Sequence, residues 1–392
     1  MRSNQVAWEA VERRGTGSLK WDDTLQRLGS DDLLPMWVAD MDFPVAAVIH
    51  EALQKRLDHP VYGYTVFDPA FYDAIVWWYR ERFGWAIERD WIVPDHGVVI
   101  SINTAIAAYT KRGEGVVIQT PIYPPFMQAV EHNDRTLLEN RLHYEAGRYT
   151  VDWEDFEAKI AKARLFLLCS PHNPTTRAWS DEELARMASI CARHDVIIVA
   201  DEIHSDVVHA RTHHPIGALP DARPITLTLH APSKTFNVAG LNTSFAIIPD
   251  RTLRTAYRRR YAQLGLPHGN PFGIEALKAA YTPQGAAWLE ELLGVLRENI
   301  AFVRAYLAEH IPQIVPVETE ATFLIWLDCR GLGLDDGELE QLFVHEARIG
   351  LNRGIGFGEA GSGFMRLNIG TSRAILAEGL SRLNTAILER HT

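Results

Sequence analysis

The chain predicts an α/β fold in which a large domain, built on a mostly parallel sheet covered by helices, is accompanied by a smaller α+β C-terminal domain and an N-terminal arm. Three observations carry this expectation. Short apolar runs such as Val196-Ile197-Ile198-Val199-Ala200 alternate with helical patterns from Gly115 to Ile248, as strands buried on both faces do. Beyond Pro249 the pattern becomes mainly helical before two further strand-like runs. The length, 392 residues, is more than one small core accommodates. The boundaries expected are an arm at 1–47, a large domain at 48–285 and a small domain at 286–392.

In order, residues 1–34 are polar with scattered tryptophans and read as an arm. Leu34 to Pro44 is bracketed by prolines, which favour extended backbone in the residue before them, so it reads as a buried segment pinning the arm to the body. Helices are expected at Val48–Leu57 and Asp73–Phe83, separated by a Pro/Gly/Tyr loop that carries Tyr64. Gly97 opens a helical pattern over Ile100–Tyr109, and the free N–H groups of Val98 and Val99 at such a start suit an anion. Strands then follow at Gly115–Gln119, Thr136–Leu138, Arg164–Cys169, Val196–Asp201, Ile225–Leu229 and Thr243–Ile248. Intervening helices are expected at Tyr123–Asn133, Asp152–Ala163 and Asp181–His194. The last third reads as helices Arg251–Leu264, Pro271–Tyr281 and Ala286–Glu309, a strand Thr322–Leu327 and a helix Asp335–Ala347. A glycine-rich loop, a strand Phe364–Ile369 and a closing helix Ser372–Arg390 complete it.

The totals exclude several classes of function. Lys plus Arg number 39 against 50 Asp plus Glu, a net charge of −11 that disfavours a nucleic-acid surface. Cys169, Cys191 and Cys329 are odd in number and widely spaced, which argues against a disulfide framework and for a reducing cytoplasm. No apolar leader and no membrane span are expected. His204, His209, His213 and His214 match no closed zinc pattern, so no metal is expected there.

Three residues at or just past predicted strand ends define the candidate chemistry: Asn173, Asp201 and Lys234, spaced 28 and 33 apart. Ligands of open α/β sheets bind beyond the strand carboxyl ends. A carboxylate that keeps a pyridine ring protonated, an amide donor for its phenolic oxygen and an amine nucleophile are the parts that hold and activate pyridoxal 5'-phosphate. His204, three residues past Asp201, can reach the same phenolic oxygen.

The strings Pro171-His172-Asn173-Pro174, Ala200-Asp201-Glu202-Ile203-His204 and Ser233-Lys234-Thr235-Phe236-Asn237 resemble fold-type I pyridoxal-phosphate enzymes of the aminotransferase superfamily (the PLP-transferase fold). Together with Met36-Trp37-Val38-Ala39-Asp40-Met41-Asp42-Phe43 they are similar to its bacterial cystathionine β-lyase, or carbon–sulfur lyase, branch, over nearly the whole chain. The resemblance implies that Lys234 carries the cofactor and, once freed, removes the substrate α-proton. It implies that Asp201 pairs with the ring nitrogen, that Asn173 and His204 face the phenolic oxygen and that Tyr123 stacks on the ring. Phosphate would be held by the Val98 and Val99 N–H groups, by Ser233 and by Tyr64 of a second subunit in a homodimer. Arg366 would grip the substrate carboxylate as a bidentate fork, near Trp37 and Ala39. The activity implied is β-elimination from cystathionine or a cysteine S-conjugate to pyruvate, ammonia and a thiol. An aminotransferase is the alternative, because it needs the same α-carbanion. A non-catalytic cofactor-binding regulator is a third reading, opposed by the retained Lys234 and Arg366 and by the lack of a basic N-terminal domain.

One departure stands out. Where the family places a small residue and then glycine after Asn173-Pro174, this chain has Thr175-Thr176, and a β-branched residue disfavours positive φ, so an altered turn is expected.

Overall fold

A computed structural model describes residues 8–266 and 268–390 and divides them into two compact units. The first comprises the residues up to Pro44, Glu291–Thr319 and everything from Phe323 onward; the second comprises Val45–Glu290 with Glu320–Thr322.

The second unit is organised by a seven-stranded sheet. Its strands are β1 (Ile92–Asp95), β2 (Gly115–Thr120), β3 (Thr136–Arg141), β4 (Ala163–Cys169), β5 (Ile197–Asp201), β6 (Thr226–His230) and β7 (Ser244–Ile247). They lie in the order β1-β7-β6-β5-β4-β2-β3, and only β7 runs against its neighbours. Every residue of β2, β5 and β6 is buried, which explains the continuous apolar runs Val116-Val117-Ile118 and Ile197-Ile198-Val199-Ala200; β6 is buried throughout although its sequence alternates threonine and leucine. The β1 strand, absent from the sequence expectation, carries Pro94; an edge position tolerates it because no second partner needs its missing N–H.

Register sets the site. Asp201 ends β5 level with Cys169 of β4 and Leu229 of β6. The chain segments leaving these three strands, with Asn173, His204 and Lys234, therefore emerge from one edge of the sheet. Beneath them, the helix Val98–Tyr109 packs Ile102, Ala105 and Ile106 into a core with Val116, Leu167, Val199 and Leu229. Burial of these side chains contributes roughly 1.5–3 kcal/mol for each large aliphatic group, and that holds the strand ends in place.

Two turns show why local signals fell short. His143–Glu145 and Arg148–Thr150 form a hairpin whose turn residues, Ala146 and Gly147, both have positive φ. Alanine there is not the usual Asn-Gly or Asp-Gly signature, so no hairpin was expected. Thr176 takes φ +60°, so the turn after Asn173-Pro174 keeps the left-handed conformation despite the β-branched side chain, which corrects the expectation of an altered turn. Its surroundings over-determine it: Thr176 N–H donates to His172 O (2.7 Å), Ala321 N–H to Thr176 O (3.0 Å) and His172 N–H to Arg177 O (2.8 Å). The next side chain, Arg177, is buried and bonded to both oxygens of Glu183 (2.6 and 2.7 Å) and of Glu320 (3.2 Å each). Glu183 also closes the capping box with Ser180 at the start of the helix Asp181–Arg193, so one carboxylate ties the turn to the helix cap.

The first unit holds a four-stranded antiparallel sheet, in the order Val315–Pro316, Leu324–Asp328, Phe364–Asn368, Asn352–Arg353. Its strand begins at Leu324 rather than Thr322, because Thr322 has φ +71° and breaks the extended run. The single helix expected over Asp335–Ala347 is instead an α-helical turn, Asp336–Glu340, followed by a π-helical turn, Gln341–Glu346. The wider turn lets three consecutive residues, Leu342, Phe343 and Val344, all be buried. Leu34–Pro35 pairs in parallel with Ile349–Gly350, so the proline-bracketed segment does pin the arm. No helix among the described residues is long and apolar enough to cross a membrane.

Candidate active site

Asp201 is the buried carboxylate of the sheet edge. One oxygen accepts the Ile203 N–H at 3.0 Å, and its backbone carbonyl accepts Ser170 N–H at 2.9 Å. Burial pushes its carboxyl up to about 6, opposed by that N–H and by the nearby Lys234 charge. A carboxylate in this condition gains strongly from a cation, and the pyridinium of the expected cofactor is one; the donor set at this edge fits the group.

Asn173 is buried in the segment after β4; its carbonyl accepts Tyr123 N–H (3.1 Å) and its own N–H donates to Cys169 Sγ (3.4 Å). Tyr123 precedes the helix Pro124–His132 and is half-buried against the core, and its backbone is tied to that of Asn173. Next to Asn173, burial pulls the His172 imidazole down to about 3. A neutral ring facing the Gln119 carbonyl (3.2 Å) must donate from Nε2, so Nδ1 accepts from the Thr175 hydroxyl at 2.8 Å. The Gln119 carbonyl thus sets the tautomer of His172, and the Thr175 hydroxyl turns to donate to it.

His204 is buried in the turn after β5, and its carbonyl accepts Val207 N–H at 2.9 Å. Lys234 and Ser233 are half-buried on a tight turn closed by Phe236 N–H to Pro232 O (2.8 Å) and Val238 N–H to Ser233 O (3.1 Å). Two flanking residues anchor the turn. Phe236 is fully buried, packed near Trp78 and Trp288. Thr235 Oγ1 donates to Asp206 at 2.9 Å, and Asp206 also accepts Trp78 Nε1 at 3.0 Å and lies 3.4 Å from His230 Nε2. Asp206 and His230 were not singled out from sequence; the available signal was a second aspartate ending the Asp201-Glu202-Ile203-His204-Ser205-Asp206 run.

The anion cradle begins at Gly97, whose φ of +144° is open to glycine and rare for L side chains. Its N–H donates to Ser244 Oγ (2.7 Å), leaving the helix to start at Val98, which is buried, and Val99, which is partly exposed. Tyr64 sits on a loop with 98% of its surface exposed.

The first unit carries Arg366, Trp37 and Ala39. Arg366 is buried; its Nη2 donates to Asn352 Oδ1 (2.6 Å), directly across the strand pair, and to the Trp37 carbonyl (3.1 Å). Its guanidinium lies over the Phe357 ring, 4.9 Å from the centroid. Trp37 and Ala39 are half-buried, and the Trp37 indole N–H donates to Lys20 O. Asn352 had no sequence signal; only strand pairing brings it opposite Arg366.

The histidines considered as a metal group are engaged separately: His209 with Thr322 O (2.8 Å), His213 with Glu202 (2.9 Å) and His214 with Asp181 (2.7 Å). Among the described residues no group of three or more His, Cys, Asp or Glu could hold a metal ion.

Residues 31–383 match the family model described as aminotransferase class I and II. The chain is 42% identical over 380 residues to cystathionine beta-lyase PatB of Bacillus subtilis, covering 96% of this chain and 98% of that protein. The crystal structure of cystalysin from Treponema denticola, which contains pyridoxal 5'-phosphate, superposes with a TM-score of 0.94 at 32% identity, covering 98% and 99% of the two chains. A PLP-bound C-S lyase from Staphylococcus hominis superposes at 0.90 with 29% identity, over 97% of each chain.

Proposed function

The chain belongs to the aminotransferase class I and II family, and from that premise we propose its activity: pyridoxal-phosphate-dependent β-elimination that splits the carbon–sulfur bond of cystathionine or a cysteine S-conjugate. The products are pyruvate, ammonia and a thiol. The observation that carries the lyase assignment is the near full-length likeness to PatB, reinforced by cystalysin and the S. hominis lyase. The protein is an enzyme of the cystathionine β-lyase type.

When bound, pyridoxal phosphate supplies an electron sink that stabilises negative charge at the substrate α-carbon. The chain's own residues do the rest. Asp201, whose carboxyl burial pushes up to about 6 in the cofactor-free fold, would be ionised beside a pyridinium and hold positive charge at the ring nitrogen. Asn173 and His204 would serve the phenolic oxygen, Tyr123 would stack on the ring, and the Val98 and Val99 N–H groups with Ser233 would take the phosphate. Lys234 Nζ is the cofactor's attachment point and moves the α-proton as general base, on a turn that Thr235 and Phe236 hold still. Arg366 takes the substrate carboxylate, its guanidinium plane already set by Asn352 and Trp37 O. Trp37 and Ala39 line the approach to that carboxylate.

The test is incubation of the purified holoprotein with cystathionine and no added keto acid. Pyruvate release is expected; turnover that requires a keto acid would assign transamination instead. The second subunit enters through Tyr64: with Val61, Tyr62 and Val66 it exposes apolar and aromatic surface that supports burial against a second copy, from which its hydroxyl would serve the neighbour's phosphate. Sedimentation is expected to give twice the 44.2 kDa chain mass, and a fully active monomer would remove Tyr64 from the site. Three buried thiols outside any disulfide, Cys169, Cys191 and Cys329, suit a reducing compartment and support a cytoplasmic location.

A further inference from the structure

The arm contains a buried ion pair that the reaction does not use. Lys20, 1% exposed, donates to Asp42, also 1% exposed, at 2.8 Å. The other Asp42 oxygen accepts Trp21 Nε1 (2.9 Å) and Arg13 Nη1 (3.0 Å), while Arg13 also clasps both oxygens of Asp40 at 2.8 Å. Burying an ion pair costs about as much desolvation as its attraction returns, so stability alone is a poor reason for one here. What the pair does is fix geometry. Lys20 O accepts the Trp37 indole N–H at 3.1 Å, and Trp37 O accepts Arg366 Nη2 at 3.1 Å. Asn368, two residues beyond Arg366 on the same strand, donates its side-chain amide to Val38 O and Asp40 O (2.5 and 2.6 Å) and its backbone N–H to Met36 O (2.9 Å). Asn352 Oδ1 is the second acceptor for Nη2, at 2.6 Å. The orientation of the guanidinium is thus set from the segment that Lys20 and Asp42 anchor.

We infer that Lys20 and Asp42 are positioning residues for substrate-carboxylate recognition, acting on Arg366 through Trp37. The inference rests on the reading of Arg366 as the carboxylate grip. Its signature is selective loss of carboxylate preference, which a general loosening of the fold would not produce.

The experiment uses holoenzyme and two ligands that lack a β-leaving group, L-alanine and L-alaninamide, with binding followed as the change in visible absorption. In Lys20→Met the Kd for L-alanine is expected to rise about tenfold, the scale of a modest misplacement, while that for L-alaninamide moves less than about twofold. Equal weakening of both ligands, or of neither, overturns the inference. Should Lys20→Met not fold, Trp37→Phe removes the donor to Lys20 O while keeping the ring; an unchanged preference in that variant overturns it as well. Arg366→Lys separates the two readings. If the preference survives Arg366→Lys, the Arg366 assignment falls and takes this one with it; if Arg366→Lys removes it and the Lys20 and Trp37 variants do not, only this one falls.

Discussion

Lys234→Ala is expected to reduce pyruvate release from cystathionine by at least about four orders of magnitude, because the variant loses both the attachment point and the base for the α-proton. The fold should survive. Lys234 is half-buried, and its turn is held by neighbours on either side of it: the Pro232–Phe236 backbone bond, the Thr235–Asp206 bond and the fully buried Phe236 ring. A melting temperature within a few degrees of the parent is therefore expected alongside the lost activity. Pyruvate production at even a hundredth of the parent rate in the folded variant would contradict the role given to Lys234.

Asp201→Asn has the second largest expected effect, and it has opposite signs with and without cofactor. In the holoenzyme, loss of the carboxylate that holds charge at the ring nitrogen is expected to lower kcat by about two to three orders of magnitude. In the cofactor-free protein the same carboxylate is a cost. Its ordinary value is 3.8 and burial raises it to about 6, so the folded state binds the proton more tightly than the unfolded chain. Its favourable contribution is complete below 3.8 and is lost as pH rises through 6. Above that pH, cofactor-free Asp201→Asn should be more stable than the parent by up to about 3 kcal/mol, with asparagine still accepting Ile203 N–H. Urea unfolding of both proteins across the range pH 4 to pH 8 checks this: the difference should grow to about pH 6 and then level off. A difference that is flat with pH, or a holoenzyme variant within fivefold of parental kcat, would contradict the assignment.

The site residues that were legible in the sequence share a physical property. Asn173, Asp201 and Lys234 lie at or beyond the ends of β4, β5 and β6; β4 and β5 carry buried, unbroken apolar runs that announce a parallel sheet, and parallel strands deliver their loops to one end of it. Their positions could be read from spacing, and their residue types suggested the chemistry proposed for them. Some features fell outside that logic for local reasons: an edge strand carrying Pro94, a hairpin turned by Ala146, a π-helical turn that buries three consecutive side chains, and Thr176 at positive φ. The edge position admits the proline, and at Thr176 tertiary hydrogen bonds hold a left-handed conformation that costs an L residue about 1–2 kcal/mol.

What the sequence determined by itself, then, was the order of the main strands and helices, the end of the sheet at which their loops gather and the candidates for the reactive groups. What only the tertiary structure decided was which distant residues hold those groups: Glu320 on Arg177, Asp206 on Thr235, Asn352 and Trp37 O on Arg366, and Asp42 on Lys20. Such partners are separated by up to hundreds of positions, and their hydrogen bonds depend on strand register and burial, which no spacing along the chain records. A lysine next to a serine can announce an amine nucleophile; the turn that holds it still is fixed by an aspartate 29 residues away.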